Sequence, residues 1–228
     1  MTSKKRKRRP YHHGDLRHAL IEEAVSVLKT EGEAALTLRD LSRRLGVSHA
    51  APLYHFADKA ELLLELSLDG FKLLADGLAR AHASDGTPHQ RFMAVGRAYL
   101  RFASENPVHF RIMFRAVPPG VVPSPALLVE RDRAFRTLIA GVDLLVPAEA
   151  PDREAKIREL AFTAWSLVHG AAALWLDGSA RVAALTGGQG FEDFAVEAMI
   201  RLMGGLGNGQ PRPRPKSLKD IRTRARRP

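Results

Sequence analysis

The sequence predicts an all-α protein with an N-terminal three-helix domain and a C-terminal helical bundle. Apolar residues recur at helical spacing along most of the chain, whereas the alternating pattern of a strand is nearly absent. Breaker segments such as SDGTP (84–88) and PPGVVPSP (118–125) separate the helical stretches. The last stretch carries an unbroken apolar stripe over residues 191–206, as expected of a helix with one buried face.

Three helices are predicted near the N-terminus. Asp15 can cap the first. Thr37, with an acidic residue three positions later, begins the second, and Gly46 supplies the turn that ends it. Ser48 can cap the third. A tight glycine turn between the second and third of three short helices describes a helix-turn-helix motif, here at about residues 37–56.

The third predicted helix is slim at its start, His49-Ala50-Ala51-Pro52, and bulky one turn later. Pro52 falls in the first turn, where most amides lack an intrahelical partner, so it costs little there. In a helix-turn-helix this end enters the DNA major groove, which is about 12 Å wide. Small residues would let the backbone approach the bases, while Leu53 and Phe56 would rest on the domain itself.

Longer helices are predicted downstream. Asp58 and Glu61 repeat the capping pattern before a helix of about twenty residues. Further helices are expected at about 88–105, after the NP pair at 106–107, at 125–145, at 152–176 and at 191–206. The Gly/Pro/Arg composition that follows predicts disorder.

Composition excludes several kinds of site. Without cysteine there is no disulfide, thiolate metal site or cysteine nucleophile. No apolar run reaches the roughly 20 residues that span a bilayer, and no apolar segment follows the basic N-terminus, so we expect a cytoplasmic protein that does not bind membranes. The motifs GxSxG and HExxH and a phosphate loop are absent, and we expect neither an enzyme nor a cofactor. His12 and His13 are not part of a cluster of acidic or thiolate residues, so we predict no metal site there.

Positive charge is concentrated at the two ends. The net charge is +10, residues 4–9 are six consecutive basic residues, and residues 211–228 carry eight basic side chains and one Asp. Such ends suit a phosphate backbone, because each neutralised phosphate releases counterions. For the C-terminal end, a merely solubilising tail is an equally open interpretation.

The N-terminal segments YHHGDLRHALIEEAVSVLKTEG and LTLRDLSRRLGVSHAAPLYHFADKAELL resemble the DNA-binding domain of TetR-type transcriptional regulators over about 55 residues. NPVHFRIMF and AFTAWSLVHGAAALWLDG resemble a subgroup whose C-terminal domain is named for a Trp-His-Gly motif, here Trp165, His169 and Gly170. The resemblance implies a double-stranded DNA partner, a homodimer and a small-molecule effector.

The resemblance also implies which residues contact DNA. They comprise an N-terminal arm in the minor groove, the start of the second helix, the tip of the third, and a lysine that opens the next helix. By number they are Arg8, Arg9, Tyr11, Thr37, Arg39, Ser48, His49, Ala50, Ala51, Tyr54, His55 and Lys59. Two positions depart from the common family pattern, which often has leucine at Pro52 and tyrosine at Leu53. The alternative for Tyr54 and His55 is that they cap the small domain's core, and Phe56 is expected to be core.

For the C-terminal domain the resemblance implies a ligand cavity. The candidate lining residues are Phe102, Phe110, Met113, Phe114, Trp165 and His169. Packing of these side chains as ordinary core, with a hydrogen-bonded His169, is the alternative. Residues 161–176 are apolar on nearly all sides, so we expect that helix to be covered all round. Pairing it and the last helix with their copies in a second subunit would do so, and Gly170 is tolerable where backbones pack closely.

The resulting hypothesis is a ligand-responsive homodimeric repressor that binds a palindromic operator. Its predicted parts are a basic arm (1–13), a helix-turn-helix domain (14–74), a ligand-binding and dimerisation domain (75–206) and a disordered basic tail (207–228). The alternative is a constitutive nucleic-acid-binding protein driven by its basic ends, with neither operator nor ligand.

Overall fold

The structure is a computed structural model that describes residues 13–178, 180–187 and 189–207. Within these ranges the chain forms nine α-helices and two 3-10 turns and contains no strand, which confirms the all-α prediction. The helices are α1 (His13–Thr30), α2 (Leu38–Leu45), α3 (Lys59–His82), α4 (Pro88–Glu105), α5 (Pro107–Met113), α6 (Pro125–Asp143), α7 (Arg153–Leu176), α8 (Ala180–Leu185) and α9 (Phe191–Gly207). The 3-10 turns are Glu33–Ala35 and Ala51–Tyr54, and we call the second the tip turn.

The second helix is built as its capping residues predict. The Thr37 Oγ1 accepts a hydrogen bond from the amide of Asp40 at 3.0 Å, which fixes the start of α2. α2 ends at Gly46, whose φ of 68° lies in the left-handed region that glycine adopts without steric penalty. Leu41 is fully buried in a small core that also contains Leu20 of α1.

The third element differs from the α-helix expected after Ser48. The amides of Leu53 and His55 donate to the carbonyls three residues earlier, at 3.1 and 2.9 Å, so the tip turn is a 3-10 turn. It begins after Ala50, without a side-chain cap. Pro52 has no amide to donate, so this segment lacks one of the bonds that an α-helix would use. The first helix also differs, because α1 already includes Asp15 within its first turn.

The long helix α3 joins the two halves of the molecule. Asp58 Oδ1 accepts from the amide of Glu61 at 2.9 Å, as the capping pattern predicts. Near this end, Leu62 and Leu66 lie in the N-terminal core. Further along, Phe71, Leu74 and Leu78 lie in the C-terminal core. The predicted domain boundary after residue 74 therefore falls inside a continuous helix.

The short helix α5 lies between the two cores. Ile112 is buried in the N-terminal core, whereas Phe110 and Met113 are buried in the C-terminal one. α5 packs closely on α3 at Gly70, where an added Cβ would lie 3.1 Å from the Met113 sulfur and 3.2 Å from the His109 Cβ. One turn of helix thus contacts both halves of the protein.

α7 is less covered than its composition predicts. Phe162 and Leu174 are 67% and 58% exposed, and an added Cβ at Gly170 would meet nothing within 4 Å. These residues lie at i, i+8 and i+12 and therefore share one helix face. The single subunit leaves this face uncovered, because α4, α6 and α9 pack against the other sides of α7. That a second subunit completes the cover stays a prediction.

Several predictions lie outside the described residues. These include the arm with Arg8, Arg9, Tyr11 and His12, and the tail from residue 208. The short helix α8, by contrast, is an element that the sequence patterns did not predict. Within the described part of the chain, no helix is long and apolar enough to cross a bilayer.

Candidate nucleic-acid interface and ligand cavity

The tip turn exposes a different set of side chains from the one expected. Tyr54 is 87% exposed and Leu53 is 57% exposed, whereas Pro52 is buried. We expected Pro52 at the exposed tip and Leu53 against the domain, and both expectations are wrong. A 3-10 turn has three residues per turn instead of 3.6, so its side chains take a different register from those of an α-helix. Phe56, at 1% exposure, is core as predicted.

The other candidate residues of the motif lie around this tip. Ser48, His49 and Ala50 are exposed, and Ala51 is half-buried. His55 is also half-buried. The exposure of Tyr54 rules against the alternative that it caps the core. The outermost surface of the motif therefore combines small residues with one imidazole and one phenol.

Most charged side chains of α2 form a network of ion pairs, and Arg39 is not part of it. Asp40 accepts hydrogen bonds from Arg44 Nε at 2.5 Å and from Arg43 at 3.0 Å, and these guanidinium groups lower the pKa of its carboxyl. Arg44 also donates to Glu31 of the preceding loop at 2.7 Å. Arg39, beside the exposed Thr37, has no hydrogen bond or ion pair to any residue in the described ranges.

Lys59 is not free in this structure. Its Nζ donates to the carbonyl of Glu33 at 2.7 Å and lies 3.8 Å from the Glu33 carboxylate. Arg115, two residues after the end of α5, forms a further ion pair with that carboxylate. Glu33 therefore contacts two cationic side chains, Lys59 from the N-terminal half and Arg115 from the C-terminal half.

A cavity of about 470 Å³ lies in the C-terminal bundle between α3, α4, α6 and α7. Its volume falls in the range usual for small-molecule sites. Aliphatic and aromatic side chains line most of it, and the aromatic ones include Phe71, Phe92, Tyr99 and Phe135.

Three of the six predicted lining residues reach the cavity and three do not. Met113, Phe114 and Trp165 line it. Phe102, Phe110 and His169 do not, although the last two pack directly behind the wall: the His169 ring lies 4.6 Å from that of Phe114 and 5.2 Å from that of Phe110. Burial puts the pKa of His169 below its usual value, so the ring is held neutral.

His169 supports a polar group of the cavity wall. Its Nδ1 lies 2.8 Å from the hydroxyl of Tyr99, which lines the cavity. Burial raises the pKa of that phenol, so Tyr99 remains protonated and can donate or accept a hydrogen bond. This arrangement agrees with the alternative of a packed, hydrogen-bonded histidine, and His169 lies behind the residues that line the cavity.

Sequence reasoning missed the charged residues of the cavity, Arg115, Arg131 and Asp132. A usable signal was present on α6. Leu128, Arg131 and Phe135 share one face with Leu138, and all four line the cavity. Arg131 is exposed, as are Leu128 and Phe135, so this stripe lies at the rim of the cavity. An arginine within an otherwise apolar helical stripe is the pattern that would have identified Arg131.

Comparison with known proteins identifies the family. Residues 20–66 match the profile of bacterial regulatory proteins of the tetR family, and residues 92–199 match the tetracyclin repressor-like C-terminal domain. The chain belongs to the tetR family. These two matches cover both the helix-turn-helix and most of the helical bundle that encloses the cavity.

Relatives of this tetR-family chain are named as transcriptional regulators. The HTH-type transcriptional regulator BetI of Rhizobium meliloti is 27% identical over 143 residues, 61% of this chain and 70% of that protein. The regulator Rv1816 of Mycobacterium tuberculosis is 28% identical over 126 residues, 54% of this chain. The match spans only 51% of the length of that mycobacterial protein.

Solved structures share the fold of this tetR-family chain. A Rhodococcus protein of unknown function superposes with a TM-score of 0.69 at 28% identity, covering 87% of this chain and 98% of that one. The TetR family regulator PfmR of Thermus thermophilus gives a TM-score of 0.58 at 24% identity, covering 79% and 94%. The N-terminal helix-turn-helix and C-terminal helical domain are thus those of this family's fold.

Proposed function

We propose that this DNA-binding transcriptional regulator is a homodimeric repressor that binds a palindromic operator and releases it when a small molecule fills the cavity. The observation that carries the proposal is the exposed tip turn, with Tyr54 outermost and small residues beside it. In a helix-turn-helix this tip is the part that enters the major groove, so an exposed phenol there is placed to contact DNA. The Trp-His-Gly subgroup remains part of the proposal, supported by the contacts of Trp165 and His169 around the cavity wall.

The DNA contacts we propose are those that the family resemblance implies, and the exposure of most of the described ones supports them. Thr37 and Arg39 face the backbone from the start of α2, and the guanidinium of Arg39 supplies the charge. Ser48, His49, Ala50 and Ala51 face the bases, with Tyr54 and His55 beside them. Leu53, exposed in the structure, joins this set as an apolar contact for a thymine methyl. The arm residues Arg8, Arg9 and Tyr11 are proposed for the minor groove.

Lys59 has a modified role in this proposal. The family resemblance implies a phosphate contact at this position, but Glu33 already holds its ammonium group. We propose that Lys59 fixes the loop before α2 and reaches phosphate only if the Glu33 contact opens.

The exposed face of α7 supports the homodimer. Phe162, Gly170 and Leu174 form an apolar strip with a gap at the glycine, where a second backbone can approach closely. Two-fold pairing of α7 and α9 with their copies would cover the strip and build a four-helix interface. A dimer is also what a palindrome requires, because two half-sites lie about 34–36 Å apart on one face of DNA.

Helix α3 supports ligand response. Phe71, Leu74 and Leu78 line the cavity, and the same helix begins at the tip-turn domain. A ligand that favours one placement of α3 would change the separation of the two tips in the dimer. Operator affinity would then fall, since both half-sites must be filled together.

Selection of bound fragments from a random DNA pool, with the full chain, tests this proposal. The expected result is a palindrome of two half-sites, with light scattering showing two subunits in solution. Recovery of fragments without a common sequence, or a chain that stays a single subunit with DNA present, would refute it.

The basic ends of the chain favour a second candidate function, a protein that binds nucleic acid constitutively and without sequence specificity. Six consecutive basic residues at 4–9 can bind any duplex. A salt titration with selected and random duplexes separates the two functions. A nonspecific binding protein would have equal affinity for both duplexes at every salt concentration. A repressor would prefer the selected duplex. Deletion of residues 1–9 is expected to flatten the salt slope by several units, at about 0.9 for each phosphate that the arm no longer neutralises.

A further inference from the structure

Arg115 belongs to two sites at once. Its side chain lines the mouth of the cavity, immediately after Phe114. The same guanidinium forms an ion pair with Glu33, in the 3-10 turn of the N-terminal half. This pair joins residues 82 positions apart and directly links the cavity wall to the DNA-binding half.

Glu33 lies close to the helix-turn-helix. Its carbonyl accepts from the amide of Leu36 at 3.1 Å and from Lys59 at 2.7 Å. Leu36 is fully buried, and the next residue, Thr37, caps α2. Glu33 therefore lies four residues before the residue that caps α2, in the segment that leads into that helix.

Arg131 supplies a second cation to the same cavity. It has no hydrogen bond or ion pair to any residue within the described parts of the chain. The carboxylate of Asp132, which also lines the cavity, forms an ion pair with Arg136. The remaining wall is mainly aliphatic and aromatic, so the cavity combines an apolar body with unbalanced positive charge at its edge.

We propose that the effector is an apolar or aromatic molecule with one anionic group, and that this anion binds Arg131 and competes with Glu33 for Arg115. This inference rests on the ligand cavity proposed above. The apolar part replaces water against the aromatic wall, while the anion stays near the partly exposed guanidinium groups. Binding then separates Arg115 from Glu33 and loosens the loop before α2. By thermodynamic reciprocity, a change at Glu33 that weakens its pair with Arg115 must strengthen anion binding.

Two fluorescent probes with the same rings test the inference. Anilinonaphthalene sulfonate carries an anion, and phenylnaphthylamine has the same ring system without it. With the full chain, both are expected to bind. Arg131→Gln is expected to weaken the sulfonate by about threefold to tenfold, as for removal of one partly exposed charge interaction, and to leave the neutral probe unchanged. Glu33→Gln is expected to tighten the sulfonate by about threefold, again without effect on the neutral probe.

Arg158→Gln is the matched control, because it removes an exposed arginine on α7 that pairs with Glu154 and does not line the cavity. It should alter neither probe. Hydrogen exchange adds a structural readout: deuterium uptake in residues 31–38 should rise with the sulfonate and stay constant with the neutral probe.

The outcomes are distinguishable. If both probes bind but Arg131→Gln and Arg158→Gln have equal effects, or Glu33→Gln weakens the sulfonate, the anion inference is overturned while the cavity stands. If neither probe binds, the ligand cavity of the proposed function is itself wrong, and the inference falls with it. Should Glu33→Gln fail to fold, the contrast between the two arginine variants decides the question.

Discussion

Substitution of Tyr54 separates a DNA contact from a packing role. The side chain is 87% exposed and has no hydrogen bond to any residue in the described ranges, so its removal deletes almost no buried area. We expect Tyr54→Ala to change the free energy of unfolding by no more than about 0.5 kcal/mol. For a chain of this size that is a melting shift of roughly 2 °C or less.

The expected decrease in operator affinity is much larger. A hydrogen bond to a charged group such as phosphate contributes about 1.5–3 kcal/mol. A dimer makes the contact twice, so Tyr54→Ala should cost about 3–6 kcal/mol, a factor of roughly 10² to 10⁴ in Kd. Tyr54→Phe isolates the hydroxyl: it reproduces most of the decrease if the phenol donates to phosphate, and little of it if the ring contacts a base.

The assay is fluorescence anisotropy on the selected operator at fixed salt, with thermal melting on the same samples. Phe56→Ala is the opposing control. That side chain is 1% exposed, so its removal should cost about 3–5 kcal/mol of stability. Operator affinity that is unchanged in Tyr54→Ala would refute the proposed contact, and a melting decrease as large as that of Phe56→Ala would show that Tyr54 is structural.

Three further predictions concern folding and assembly. Gly46→Ala should lower the free energy of unfolding by about 1–2 kcal/mol, because alanine must adopt a φ of 68°. Gly46→Asn should lower it less. Equal melting temperatures for wild type and the two variants would contradict this. Leu174→Glu should convert the dimer to a folded single subunit in sedimentation, since the exposed strip would then carry charge; a persistent dimer would place the interface elsewhere. Asp40→Asn should melt below wild type at neutral pH. Arg44 and Arg43 lower the pKa of Asp40 in the folded protein below the ordinary value of 3.8. The stability that ionised Asp40 contributes is therefore present above pH 3.8 and is lost as the pH falls through the folded pKa. A difference in melting temperature between wild type and Asp40→Asn that does not narrow in acid would contradict this.

Helix positions were predictable because their ends are chemically marked. Thr37, Asp58 and Thr87 each accept a hydrogen bond from the amide three residues later. These are local interactions, encoded within four residues, and the glycine and proline breakers between helices are equally local. Most helix boundaries therefore agree with the sequence to within two or three residues.

The side chains exposed at the tip turn and the contacts around the cavity could not be predicted from local sequence patterns. Helical spacing could not show that Pro52 would turn inward and Leu53 outward, because the side-chain register changes with the type of turn. The partnership of Arg115 with Glu33 spans 82 positions and is set by how α5 packs. The apolar composition of residues 161–176 predicted that this helix needs cover on all sides, but it could not show that Phe162 and Leu174 are the residues left exposed in the single subunit.

The position of α5 has a practical consequence for protein engineering. Ile112 fills part of the N-terminal core although it lies well beyond the first three helices. A fragment cut after residue 74 would lose that side chain and open an apolar hole in its own interior. Any chimera that joins this DNA-binding domain to another C-terminal domain should carry the residues of α5 with it. Otherwise the recipient needs an equivalent helix that presents an aliphatic side chain at the position of Ile112.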